Sequence, residues 1–194
     1  MNEDPQTCNK AARVQQQAPG RATRVMPFFS SGSKDSLKKF YEKDPKVLGS
    51  GNFAKVYKAT VKNDHEVKKP DGTFEKLPKG MLVAIKDIDK AKVEDMNDIT
   101  REIEVMEQIS HPNIIRLFEI WDEPKKMNLV MELVTGGELF DEIVNRGQYS
   151  EKDAARVMGT LCNALAYLHS KKIVHRDLKP ENILLAEKPR PGVE

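Results

Sequence analysis

The stretch His175-Arg176-Asp177-Leu178-Lys179-Pro180-Glu181-Asn182 constrains this chain more than any other. Apolar residues precede it, Ile173-Val174, and follow it, Ile183-Leu184-Leu185, so it reads as a polar loop held between two short strands. Reactive side chains on such a loop are positioned by the strands and stay within a substrate's reach. By type, Asp177 suits accepting a proton from a hydroxyl, Lys179 suits offsetting developing negative charge, and Asn182 offers a neutral oxygen to a hard cation such as magnesium. Those roles together describe phosphoryl transfer. A charged surface hairpin would explain any one of these residues alone. It explains the ordered set poorly, because chance agreement falls with every specified position.

A chain of 194 residues, 39% apolar and 32% charged, has room for one large domain or for a smaller domain with a tail. The net charge of +2 gives no argument for nucleic acid as a partner. The charge is uneven: residues 1–39 carry seven Lys/Arg against three Asp/Glu, which leaves 25 against 27 in the remainder. Residues 1–39 are rich in Gln, Ser, Pro, Gly and Ala without periodicity, and they are expected to form a disordered basic N-terminal tail, either a docking segment or a solvated leader. Arg13, Arg21 and Arg24 give that tail some likeness to an organellar transit peptide, which the acidic Glu3 and Asp4 oppose. Cys8 and Cys162 suggest no disulfide framework, and a reducing, intracellular (cytoplasmic) compartment fits. No apolar run approaches the ~18 residues needed to span a bilayer, so no membrane partner is expected.

The folded part is expected to begin near Phe40-Tyr41. Two strands then flank a Gly-x-Gly turn, Val47-Leu48-Gly49-Ser50-Gly51-Asn52-Phe53-Ala54-Lys55-Val56, where missing Cβ atoms let the backbone approach a phosphate. A ligand-free glycine hairpin explains this turn about as well. A dinucleotide-binding turn does not, since β-branched and aromatic residues follow where a helix is required. Residues 62–80 are polar, with turn signals at Pro70-Asp71-Gly72 and Pro78-Lys79-Gly80, and read as a long loop that is either a local elaboration or a partner-specific surface. Met81 to Ile88 reads as a buried strand carrying one lysine, Lys86, which needs a carboxylate or a phosphate opposite it. The next segment, 94–109, places Met96, Ile99, Ile103, Met106 and Ile109 at helical spacing, and Glu102 borders that stripe.

His111-Pro112 ends this helix, and strands follow at Ile114–Trp121 and Asn128–Val134 before a break at Thr135-Gly136-Gly137. A short helix runs from Glu138 to Arg146 and is closed by Gly147. A longer one starts at Ser150, with Asp153 completing a capping-box-like pair, and carries Ala154, Val157, Met158, Leu161, Leu165 and Leu168 as an apolar stripe. Cys162 adjoins that stripe and reads as an inert core thiol, while His111 and His169 read as caps.

From about Tyr41 to Leu185 these motifs, in this order, resemble the eukaryotic protein kinases. Lys179-Pro180-Glu181 resembles the serine/threonine branch, and Gly136-Gly137-Glu138-Leu139-Phe140-Asp141 resembles the calcium/calmodulin-dependent group. The resemblance implies an α+β, bilobal kinase-like fold over residues 40–194: a complete small β-rich lobe at about 40–132, a hinge at about 132–137 and the first part of a helical lobe from 138. It implies transfer of the γ-phosphoryl group of ATP, with Mg2+, to Ser or Thr hydroxyls, with Asp177, Lys179 and Asn182 catalytic and Asn182 also a metal ligand. ATP contacts are implied at Leu48, Gly49, Ser50, Gly51, Asn52, Phe53, Ala54 and Val56, at Ala84, Lys86 and Glu102, and at Met131, Glu132, Val134, Glu138 and Leu184. The last of these would floor the adenine. Glu138 and Glu181 match positions that hold a basic side chain preceding the target residue, so protein substrates with Arg or Lys before Ser/Thr are implied. His175 would pack the loop, and Arg176 would meet a phosphorylated activation segment. The tail or the 62–80 segment would be the place for a regulatory partner.

Two departures stand out. Ala54 replaces the usual third glycine, and no Asp-Phe-Gly or Ala-Pro-Glu follows Leu185. The chain is therefore expected to be a fragment of a longer kinase, the alternative being a truncated, inactive kinase-like module that binds nucleotide or a partner. Residues 1–194 alone are expected to show no phosphoryl transfer and to be partly molten, since Met158, Leu161, Leu165 and Leu168 would lack helices to pack against.

Overall fold

Between Tyr41 and Glu132 the chain forms a five-stranded antiparallel sheet, built mainly on apolar and β-branched runs: β2 (Tyr41–Ser50), β3 (Ala54–Val61), β6 (Leu82–Asp89), β7 (Leu117–Asp122) and β8 (Lys126–Glu132), in the spatial order β2-β3-β6-β8-β7. The computed structural model describes residues 13–14, 37–69 and 72–187. They fall into two compact units, one made of residues 37–108 and 116–133, the other of 13–14, 109–115 and 134–187. The class is α+β.

In the first unit the central strands β6 and β8 are the most buried, which suits the near-continuous apolar runs Leu82-Val83-Ala84-Ile85 and Leu129-Val130-Met131. One sheet face packs Ala59, Val61, Val83, Ile85 and Val130 against Leu37 of the short helix α1 (Leu37–Phe40) and against Val67 and Leu77. Those last two belong to a hairpin of β4 (His65–Lys68) and β5 (Phe74–Leu77), paired antiparallel from His65↔Leu77 to Lys68↔Phe74. Residues 62–80 are thus not one long loop. The alternation of His65 and Val67 with Glu66 and Lys68 gives the strand an inner and an outer side, and burial of Leu77 at 0% exposure holds the hairpin on the sheet. Helix α2 (Met96–Glu107) starts at Asp95, whose carboxylate accepts from the Asn97 N–H at 2.8 Å, and buries Ile99 and Ile103.

Helix α1 begins at Leu37, which is 4% exposed. Apart from Arg13 and Val14, residues 1–36 of the expected tail lie outside the described residues.

The second unit holds α3 (Leu139–Arg146), α4 (Glu151–Ser170) and β9 (Ile183–Leu184). Gly147 at φ +69° closes α3 by donating to the Ile143 carbonyl at 3.1 Å. Ser150 caps α4, its Oγ accepting from the Asp153 N–H at 3.1 Å and donating to the Asp153 carboxylate at 2.8 Å. His111 caps its own loop through Nδ1, which accepts from the Asn113 N–H at 3.1 Å, and its ring stacks on Tyr167. The α4 stripe is narrower than the spacing suggests: Leu161, Ala164 and Leu168 are buried, while Ala154 and Met158 are exposed. Cys162 is exposed as well, so it is not a core thiol. No strand forms at Ile173-Val174; Ile173 is buried as the chain turns out of α4, and its N–H donates to the Leu168 carbonyl at 3.0 Å. The strand β1 (Arg13–Val14) pairs antiparallel with β9. Among the described residues no helix is long and apolar enough to cross a membrane.

Candidate functional site

The glycine turn closes between β2 and β3 with the Gly51 N–H donating to the Ala54 carbonyl at 2.8 Å, and the Asp89 N–H donating to Phe53 ties it to β6. Leu48 lies 51% exposed at the end of β2. A Cβ at Gly49 would meet nothing within 4 Å, and one at Gly51 only the Ala54 oxygen at 4.0 Å. Packing inside the unit therefore does not require glycine here, and the bare backbone along Gly49, Ser50, Gly51 and Asn52 is the kind a phosphate group can approach.

Sheet register then sets a row of side chains beside this turn. Gly49 faces Val56, Val56 faces Lys86, and Lys86 faces Leu129; one step along, Ala84 faces Met131. Directly opposed residues share a face, so Val56, Ala84, Lys86 and Met131 line the sheet face opposite the one packed under the hairpin. Lys86 Nζ lies 3.4 Å from Glu102 Oε1 of α2, with side-chain exposures of 25% and 15%. The lysine strand and the helical glutamate expected to meet do meet. The Glu132 N–H donates to the Arg116 carbonyl at 2.8 Å, so a further main-chain contact from Glu132 would use its carbonyl. This unit gathers a glycine-containing turn, a half-buried ammonium with a carboxylate partner, and small or apolar side chains around them.

The second unit carries the polar loop. Asn182 Nδ2 donates to both the Asp177 carbonyl, at 2.7 Å, and the Asp177 carboxylate, at 2.9 Å, and Lys179 Nζ sits 3.4 Å from the same carboxylate. The Asn182 amide hydrogens beside Asp177, helped by the Lys179 ammonium, hold its carboxyl below the usual carboxylate range. The short 3-10 turn Pro180–Asn182 brings the amide back onto the aspartate five residues earlier. With Nδ2 committed, Oδ1 of Asn182 is turned away from Asp177, a neutral hard oxygen of the kind that suits a divalent cation. Among the described residues no three His, Cys, Asp or Glu side chains gather as a metal cluster, so the expected fit of Mg2+ rests here on the Asn182 oxygen. His175 is buried at 3% exposure beneath the loop, and Arg176 adopts φ +68°, a left-handed conformation costly for a residue with a Cβ.

Glu138 precedes α3 without capping it through its side chain, forms a bridge to Leu184 and is exposed; Glu181 is exposed too. Val134 is half-buried. Gly136 and Gly137, expected to break the strand and to lie in the hinge, do more than that. In fact the Gly136 N–H donates to the Leu185 carbonyl at 2.9 Å, the Leu185 N–H donates to Gly137 at 2.8 Å, and a Cβ at Gly136 would collide with the carbonyl oxygens of Leu185 and Glu187. The glycine pair itself was the available signal, since only a residue lacking Cβ lets two backbones come this close.

Comparison with known proteins fits these two sets of groups. The pattern described as "Protein kinase domain" matches residues 73–191. Calcium-dependent protein kinase 5 of Plasmodium berghei (strain Anka) is 44% identical over 155 residues, covering 80% of this chain and 25% of that protein. Human calcium/calmodulin-dependent protein kinase type IV is 44% identical over 170 residues, 87% of this chain and 32% of that protein. Myosin light chain kinase A of Dictyostelium discoideum is 42% identical over 78% of this chain and 47% of its own length. The chain thus spans between a quarter and about half of these relatives. Among solved structures, Rad53 1-466 in complex with AMP-PNP superposes with a TM-score of 0.69 at 34% identity, over 80% of this chain and 38% of that one.

Proposed function

The chain belongs to the protein kinase family, and from that premise we propose that it is the nucleotide-binding and catalytic-loop portion of a serine/threonine protein kinase, with residues 40–132 as the small lobe, 132–137 as hinge and 138 onward as the start of the helical lobe. The observation that carries the reading is the Asp177–Asn182–Lys179 arrangement, a carboxylate held ionised at neutral pH beside an ammonium and an amide. Asp177 orients the acceptor Ser or Thr hydroxyl and takes its proton; Lys179 offsets charge on the phosphoryl oxygens; Asn182 holds a divalent ion through Oδ1. Mg2+, when bound, neutralises the charge of the nucleotide phosphates. Lys86, kept in place by Glu102, pairs with the α and β phosphates, and the turn from Leu48 to Ala54 covers them. Val56, Ala84 and Met131 of the first unit supply apolar contacts to adenine, with a main-chain contact from Glu132.

Glu138 and Glu181, both exposed, are the acids that would hold Arg or Lys before the target residue. The β4–β5 hairpin, with Phe74 64% exposed, offers a surface for a regulatory partner. A cytoplasmic location belongs to the same reading. The test is to titrate MgATP into the 194-residue chain and into its Lys86→Met variant. Binding that weakens by about 10- to 100-fold in the variant is expected, the loss of a charge-assisted contact. Equal binding by both would remove Lys86 from the proposed role.

A further inference from the structure

The sheet face under the hairpin carries a buried polar row that the proposed chemistry does not use. Asp87 of β6 faces Asn128 of β8, and Asn128 faces Trp121 of β7, so the three side chains stand side by side on one face, two residues along from Ile85 and Val130 of the apolar cluster. Asn128 is 1% exposed and Asp87 8%. One carboxylate oxygen of Asp87, Oδ2, accepts from Lys43 Nζ at 3.0 Å and Lys126 Nζ at 2.9 Å. Its other oxygen, both polar atoms of the Asn128 amide and the Trp121 indole Nε1 are all buried, and among the described residues they find no hydrogen-bond partner.

Buried polar atoms in folded proteins are almost always satisfied, by protein groups or by internal water. We propose that Asp87, Asn128 and Trp121 form a binding site for one internal water molecule, held between β6, β8 and β7. The donor–acceptor inventory matches that ligand: Asp87 Oδ1 and Asn128 Oδ1 accept, while Asn128 Nδ2 and Trp121 Nε1 donate, and water has two hydrogens to give and two lone pairs to receive. A cation fits badly, because two of the four atoms are N–H donors and the Asp87 charge is already met by two ammoniums. An anion would meet the carboxylate. The site lies one residue along β6 from Lys86, on the opposite face, so the water braces the strand from behind without touching the nucleotide groups. It stands whether or not the kinase reading does.

The test uses the 194-residue chain and its Asn128→Leu variant. A crystal structure that shows ordered solvent is expected to place a fully occupied water within ~2.7–3.2 Å of Asp87 Oδ1, the Asn128 amide and Trp121 Nε1. Because the chain has a single tryptophan, its indole N–H gives one resonance, which is expected to show direct cross-relaxation with a long-lived water in solution. That cross-peak should vanish in Asn128→Leu while the indole resonance itself persists. Three results would each overturn the proposal: Asn128 Nδ2 bonded straight to Asp87 Oδ1 with no solvent peak at Trp121, a peak with the short all-oxygen contacts of a metal ion, or an indole cross-peak unchanged in Asn128→Leu.

Discussion

Asp177 and Lys86 are placed by opposite means, and the difference decides how each responds to change. Asp177 is held by groups within five residues of itself, Lys179 and Asn182, so its geometry depends on the loop's own residues, and the loop could be read directly from its eight residues. Lys86 depends on Glu102, sixteen residues away on another element; the pairing was legible only because an apolar strand with one lysine demands a partner and a helix stripe offered one. Asp87 lies beside Lys86 in sequence yet gave no sign of its role, because its partners Lys43 and Lys126 come from strands whose register no local pattern specifies. Burial alone would raise the Asp87 pKa, but the Lys126 and Lys43 ammoniums outweigh it and hold the carboxyl below its ordinary value. Asp87 and Asp177 both have folded-state pKa values depressed relative to the unfolded chain, so the stability they contribute is present above about pH 4 and is lost as pH falls through their lower folded values. Denaturant unfolding from pH 8 downward should therefore show a plateau through pH 6 and a fall below about pH 4, less steep in Asp87→Asn; a stability that rises on acidification below pH 4 would contradict this assignment.

The inner strands of the five-stranded sheet were legible because they are apolar and bounded by turn residues, whereas the charged β2 and the hairpin β4–β5 were less so. The hairpin's two strands are four residues each and half charged, and only Val67 and Leu77 reveal an inner side. Leu77→Ala removes a side chain that is fully buried against the sheet, and a loss of ~2–5 kcal/mol is expected in urea unfolding, with the hairpin amides losing hydrogen-exchange protection first. A change near zero would mean that the hairpin adds nothing to the core. Gly136→Ala should cost ~1–3 kcal/mol through its clash with the Leu185 backbone, measured the same way, whereas Gly137→Ala acts through its φ of +87° and not through contact. On α4, Met158 is 54% exposed, as expected of a side chain with no helix over it, whereas Leu161 and Leu168 are buried: spacing shows which residues share a helix face, not how much of that face is covered.

For the molecule as a whole, the family followed from order and spacing of motifs distributed over both units, which no single element carries. Substrate choice is the least legible property, since Glu138 and Glu181 look like any exposed acids. A peptide array presented to the domain should favour Arg or Lys a few positions before Ser or Thr, and Glu138→Ala together with Glu181→Ala should flatten that preference; a preference for acidic residues there would contradict the assignment. The central claim, that Asp177 acts on the acceptor hydroxyl, is tested most directly by phosphoryl transfer from MgATP to a Ser/Thr peptide in the domain extended past Glu194 through an Asp-Phe-Gly segment. Asp177→Asn should keep nucleotide binding and lose about 10²- to 10⁴-fold in transfer rate; a variant that transfers phosphate at nearly the unaltered rate would contradict the account.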